Sequence, residues 1–123
     1  MLNLGSATRV YLAAGATDMR KGFEGLFAIA KTFSGADPLS GHVFVFCNRT
    51  RDRIKVLYFD GSGLWVCAKR LEGGRFRWPE RGQGSGTLTL SRTELTLLLE
   101  GIDLKEIKSR PRWYRREAGS IVG

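Results

Sequence analysis

Three apolar runs between His42 and Trp78 constrain the fold of this chain more than any other feature. The runs are HVFVFC, RIKVLYFD and LWVCAKRLE, and the segments between them, NRTRD and GSG, are short and hold Gly, Asn or Asp. Runs rich in Val, Ile, Phe, Tyr and Trp that are cut by such segments are typical of antiparallel strands joined by tight turns. The sequence therefore predicts a β-meander.

A helix and a short strand are predicted before the meander. Residues 9–13, RVYLA, form the strand candidate. The helix is predicted from Asp18 to Phe33, with Thr17 or Asp18 as its N-cap, because apolar residues then recur at the i, i+3, i+4 and i+7 positions of one face. Two glycines within the pattern, Gly22 and Gly25, leave open a later start of this helix.

A second helix is predicted from Ser91 to Glu100, after a short strand at 87–90. Ser91 and Glu94 have the spacing of a capping box, and Gly101 is placed to end the helix in a left-handed conformation. These elements predict an α+β fold, a twisted antiparallel sheet of about four or five strands packed with two short helices. Residues 1–104 are expected to form a single domain and residues 105–123 a flexible, basic tail; the strand order is not predicted.

The charge of the chain indicates a polyanionic partner. Twenty Lys and Arg residues stand against twelve Asp and Glu residues, giving a net charge of +8 and a pI of about 10.1. Between His42 and Trp78 alone, eight basic residues stand against three acidic ones. A basic surface releases counterions when it binds nucleic acid or anionic lipid, and nucleic acid is the expected ligand. The alternative is that the charge only keeps a small basic domain soluble.

No catalytic or metal site is predicted. The candidate carboxylates, Asp18, Asp52 and Asp60, all have capping or turn positions that explain them structurally. His42 is the only imidazole, and with Cys47 and Cys67 it does not complete a zinc site of four ligands. We therefore expect free thiols, no cofactor, no small-molecule substrate and no enzymatic activity.

The glycine-rich segment ERGQGSG, residues 80–86, does not change this expectation. It lacks the Lys and the strand-to-helix context of a phosphate-binding loop, and is predicted to be a mobile loop. No secretion signal and no apolar run of membrane-spanning length occurs in the sequence. A cytoplasmic protein without membrane contact is expected.

Three segments of the chain resemble one protein family. They are RVYLAAGATDMRKGFEGL at 9–26, SGHVFVFCNRTRDRIKVLYFDGSGLWVCAKRLEGGRFRWP at 40–79 and LTLSRTELTLLLEGID at 88–103. In this order they resemble the accessory protein, TnpB, encoded by the second open reading frame of insertion sequence sixty-six elements, which is distinct from the RNA-guided nuclease of that name. The resemblance implies a role in transposition beside a larger transposition enzyme.

Two hypotheses of function follow. In the first, the protein binds DNA, either transposon ends or non-specific sequence, through phosphate contacts. The contacts come from basic residues of the first helix, of the hairpin from Asn48 to Lys55 and of the end of the meander. These residues are Arg20, Lys21, Arg49, Arg51, Arg53, Lys55, Arg75 and Arg77. In the second, the protein docks on the transposition enzyme without contacting DNA, through exposed aromatic residues such as Trp65, Phe76 and Trp78. The alternative for these aromatic residues is that they belong to the core, because a helix can cover each face of the sheet.

Overall fold

The computed structural model describes residues 8–79 and 87–101, which form a five-stranded sheet with one helix on each face. The strands are β1 (Val10–Ala13), β2 (Val43–Cys47), β3 (Arg53–Phe59), β4 (Leu64–Arg70) and β5 (Thr87–Leu90). The helices are α1 (Phe23–Ser34) and α2 (Arg92–Leu99), and a 3₁₀ turn at Pro38–Ser40 precedes β2. The predicted α+β class, the number of strands and the two helices are confirmed.

The strands lie in the order β4-β3-β2-β1-β5. The meander is confirmed, since β3 pairs antiparallel with β2 on one side and with β4 on the other. The sheet is nevertheless mixed, because β1 pairs in parallel with β2. The chain passes through α1 between these two strands, and such a long crossover is the connection that parallel strands need.

The central strand β2 explains why the sheet has two cores. All five of its residues are buried, as expected of a strand covered on both faces. Val43, Val45 and Cys47 pack on the α2 side, where Leu95 and Leu98 cover them. Phe44 and Phe46 pack on the α1 side, which we call the α1 face, against Leu26 and Ala30.

Helix α1 begins at Phe23, five residues later than the predicted start, so the expectation that Thr17 or Asp18 caps it was wrong. Its N-cap is Gly22, which provides no side-chain hydrogen bond. Asp18 instead accepts a hydrogen bond of 2.9 Å from the backbone N–H of Arg20. This local turn occupies the carboxylate and keeps the preceding residues outside the helix.

Helix α2 has the predicted start and end. The Ser91 hydroxyl accepts from the backbone N–H of Glu94, and the Glu94 carboxylate accepts from the backbone N–H of Ser91. Gly101 has a φ of 82° and donates to the Leu98 carbonyl at 3.0 Å. The capping box and the glycine terminator are therefore confirmed.

Within residues 8–79 and 87–101, no helix is long and apolar enough to cross a membrane. The predicted mobile loop at 80–86 and the predicted basic tail at 105–123 lie outside the described residues.

Candidate nucleic-acid interface

The turn between β2 and β3 is held by the side chain of Asn48. Its Oδ1 accepts from the backbone N–H groups of Asp52 and Arg53, both at 3.1 Å. Its Nδ2 donates to Thr50 Oγ1 at 3.1 Å and to Asp52 Oδ1 at 2.8 Å. The bonds from Asn48 and Thr50 lower the pKa of Asp52, because they stabilise its charged form. The turn thus has a defined shape and places Arg53 at the start of β3.

The loop that precedes α1 lies against this turn. Thr17 donates its backbone N–H to the carbonyl of Cys47 at 2.8 Å, which ties the loop to the end of β2. Arg20 forms a two-pronged ion pair with Asp18, with contacts of 2.8 to 3.1 Å. Hydrogen bonds from Arg20 lower the pKa of Asp18 to about 2. On the far side of the loop, Lys55 Nζ donates to the carbonyl of Lys21 at 2.8 Å.

Two adjoining cavities lie beside the contact between the loop before α1 and the β2–β3 turn. One, of about 510 Å³, lies between the loop and the turn; the other, of about 470 Å³, runs along β3 and β4. They share Met19 and Arg53, so together they form one concave surface, which we call the cationic groove. Its charged lining consists of five cations and two carboxylates: Arg20, Arg49, Arg53, Lys55, Arg70, Asp18 and Glu72. Lys69 also borders the cavity, but its Nζ donates to the carbonyl of Leu99 at the end of α2, at 2.7 Å. The net charge of the five cations and two carboxylates is +3.

The groove gathers four of the eight residues predicted to bind nucleic acid. Arg20, Arg49, Arg53 and Lys55 line it, although they come from the loop, the turn and β3. Lys21 is exposed beside it and supplies the carbonyl that Lys55 contacts.

Arg51 has a different environment from the other arginines of the turn. It is half-buried, with a φ of 62°, and its Cζ lies 5.5 Å from the ring centre of Trp78, a residue of the α2-side core. Its Nη1 donates to the carbonyl of Gly15 at 3.4 Å. Burial raises the pKa of the neighbouring Cys47 thiol, and Arg51 opposes that shift. Phosphate binding by Arg51 stays a prediction, but its guanidinium already has structural contacts.

The segment after β4 folds back toward the same turn. Phe76 donates its backbone N–H to the Arg51 carbonyl at 2.6 Å. Phe76 and Trp78 are 2% and 9% exposed and belong to the α2-side core, whereas Arg75 and Arg77 between and beside them are exposed. The expectation that Phe76 and Trp78 form an exposed docking surface was wrong, because extended backbone directs alternate side chains inward.

The sequence analysis did not select Arg70, which also lines the groove. Arg70 is paired directly with Arg53 in the register of β3 and β4. The short GSG turn could have indicated that Arg70 lies opposite Arg53, because a tight hairpin fixes which residues are paired across its two strands. Arg70 also contacts Glu72, at 3.2 Å.

The third candidate carboxylate, Asp60, accepts hydrogen bonds from the turn between β3 and β4 and from the start of β4. It accepts from the backbone N–H groups of Ser62 and Gly63, both at 2.9 Å, and from Trp65 Nε1 at 2.8 Å. These bonds lower the pKa of Asp60. In the described part of the chain, His, Cys, Asp and Glu residues form no group of three or more that could hold a metal ion.

The fold and the groove define a small, basic α+β protein with a concave cationic surface at one end of its sheet. The chain belongs to the family of IS66 Orf2-like proteins, whose family model matches residues 8–109. Membership implies an accessory role in the transposition of insertion sequences, as the resemblance predicted.

Two proteins of Sinorhizobium fredii (strain NBRC 101917 / NGR234) are similar to this chain. Uncharacterized protein y4hO is 42% identical over 103 residues, covering 84% of this chain and 88% of its own length. Uncharacterized protein y4jC is 35% identical over 111 residues, covering 90% and 93%. No solved structure matches the chain.

Proposed function

We propose that this protein is a non-catalytic accessory protein of DNA transposition that binds DNA through the cationic groove. The observation that carries the proposal is the convergence of Arg20, Arg49, Arg53 and Lys55 on one concave surface from three separate segments. A groove that concentrates positive charge focuses the field and attracts a polyanion. DNA phosphates are the polyanion that a transposition protein meets.

The central residues of the groove are available for phosphate binding. Arg49 and Arg53 are exposed, and neither guanidinium has a hydrogen bond or an ion pair with any described residue. Each can therefore give its donors to a phosphate without breaking an existing contact. Contacts of this kind fix position and supply affinity but read little sequence.

The environment of the carboxylates supports a non-catalytic role. Asp18 is paired with Arg20, Asp52 is bonded to Asn48 and Thr50, and Asp60 receives bonds from its own turn. Each pKa is lowered by these structural partners. The lowered pKa values argue against use of these carboxyls as general acids, which needs the opposite shift, toward neutral pH.

The proposal is tested by fluorescence anisotropy of labelled DNA, as a duplex and as a single strand, over a salt series. Wild-type protein should lose affinity steeply with salt, and Arg49→Gln and Arg53→Gln should each reduce the slope by about 1. Lys31→Gln is the matched control, since Lys31 is exposed and lies about 12 Å along α1 from its first residue. Wild-type affinity that does not change with salt would refute the proposal.

One observation favours the second candidate function, docking on the larger transposition enzyme. Trp65 is 49% exposed on β4, which is an edge strand, and the bond to Asp60 fixes the orientation of its ring. Rigid exposed tryptophans are frequent anchors of protein interfaces. If the protein ignores DNA but co-elutes with the enzyme, and Trp65→Ala abolishes co-elution, this function replaces the first.

A further inference from the structure

We infer that the cationic groove takes a single, unpaired DNA strand rather than a duplex, with Arg70 as an additional phosphate-binding residue. This inference rests on the proposed function, because it specifies the form of DNA that the same groove binds. It depends on the register of β3 and β4, on the shape of the groove and on its apolar floor.

The register places like charges opposite one another. Arg53 pairs with Arg70 across β3 and β4, and Lys55 pairs with Ala68. All four side chains lie on the α1 face. Every second residue of a strand shares a face, and Leu57, at such a position on β3, and Val66, at such a position on β4, pack on the α1 side. Like charges directly opposite in a sheet are destabilising. A phosphate bound between Arg53 and Arg70 would convert this repulsion into two attractive contacts.

The floor of the groove is two strands wide. It spans β3 and β4, whose axes are about 5 Å apart. The loop before α1 bounds it on one side through the bond between Lys55 and Lys21, and the sheet ends at β4 on the other. One strand of nucleic acid fits such a floor, whereas a duplex would rest on the rim and leave the floor empty.

The floor has the chemistry that unpaired bases need. Met19 and Ala68 line it between the cations, and Met19 is half-buried against the α1-side core. Single-strand binding combines a cationic track for the backbone with surfaces on which bases can stack, including arginine guanidinium planes. In a duplex the bases are stacked on one another and offer nothing to an apolar floor.

The two cavities account for two successive phosphates. Arg53 belongs to both, with Arg20 and Arg49 on one side and Lys55 and Arg70 on the other. A strand that follows the groove therefore meets Arg49 before Arg53 and Arg70 after it, and Arg70 would exchange its exposed pair with Glu72 for the phosphate. We expect Arg53 to be the most important single residue and Arg70 to act only on the β4 side.

The test compares a labelled single-stranded oligonucleotide with its duplex in anisotropy titrations. Wild-type protein should bind the single strand more tightly, and Arg70→Gln should weaken that binding about tenfold, the effect of one lost charged hydrogen bond. Because the substitution removes both the repulsion with Arg53 and the exposed ion pair with Glu72, its melting temperature should stay close to that of wild type. Lys31→Gln should match wild type in both measurements.

A second variant tests the floor without removing a cation. Ala68→Gln adds bulk in the groove at an exposed position of the edge strand, and should weaken single-strand binding while leaving duplex binding within twofold. The inference is overturned if the duplex binds as tightly as the single strand, or if Arg70→Gln stays within twofold of wild type for the single strand. Salt-dependent duplex binding in that case would leave the proposed function standing, whereas binding of neither form would refute both.

Discussion

Exchanging Arg51 and Arg53 for alanine, one at a time, should separate stability from DNA binding within a single turn. The Arg51 guanidinium lies 5.5 Å from the Trp78 ring, donates to the Gly15 carbonyl at a long 3.4 Å and also interacts with the Cys47 thiol. A cation–π contact of this exposure contributes about 0.5 to 1 kcal/mol, and the long hydrogen bond adds little. Arg51→Ala should therefore lower the free energy of unfolding by about 1 kcal/mol.

Arg53→Ala should have the opposite profile. The Arg53 side chain is exposed and has no hydrogen bond or ion pair among the described residues, so its removal should change stability by less than about 0.5 kcal/mol. It lines both cavities, and its loss should reduce DNA affinity about tenfold. Arg51→Ala should reduce the affinity less than Arg53→Ala does, because the Arg51 guanidinium already has structural contacts.

Urea denaturation followed by tryptophan fluorescence measures the free energy of unfolding, and anisotropy titration measures the DNA affinity. A loss of 1 kcal/mol corresponds to a fall in melting temperature of about 4 to 8 °C for a domain of this size. Arg51→Gly is a useful companion, because glycine adopts the positive φ of residue 51 without cost and should be at least as stable as the alanine variant. If Arg51→Ala keeps full stability and loses as much affinity as Arg53→Ala, the placement of Arg51 against the core is wrong.

Three further predictions concern the elements that support the groove. Asn48→Ala removes four hydrogen bonds of the turn, which water partly replaces, and should cost about 2 kcal/mol in urea denaturation, whereas Thr50→Ala should cost less. Phe76→Ala should cost about 3 to 4 kcal/mol because Phe76 is buried, and Trp65→Ala less than about 0.5; equal losses would contradict the burial that distinguishes them. Asp18→Asn should destabilise the protein at pH 7 but not at low pH. The lowered pKa of the Asp18 carboxyl stabilises the fold at pH values above the unfolded pKa, near 3.9, and this contribution disappears as pH falls from about 4 to about 2. Thermal unfolding of both proteins across that pH range would detect the difference.

The sequence by itself determined the elements whose causes are local. Alternating apolar runs and short turns predict β2, β3 and β4, and the Ser91 to Glu94 capping box predicts α2, because each pattern acts within a few residues. The start of α1 was missed for a reason that is also local. Asp18 can bond its own following backbone as well as cap a helix, and the pattern does not say which it does.

Part of the candidate site could be predicted from the sequence and part could not. The basic turn was evident, and Arg49 and Arg53, two of the residues predicted from it, line the groove. Nothing in the spacing of NRTRD distinguishes Arg51, whose side chain turns toward Trp78 because its backbone has a positive φ.

Only the tertiary structure decided which cations meet. The parallel pairing of β1 with β2 brings the loop before α1 beside the β2–β3 turn, and the register of β3 with β4 brings Arg70 opposite Arg53. Both are pairings between segments distant in the chain, which depend on how the whole sheet buries its two faces. The local pattern specifies the strands, and the packing of the two cores places their basic residues in one groove.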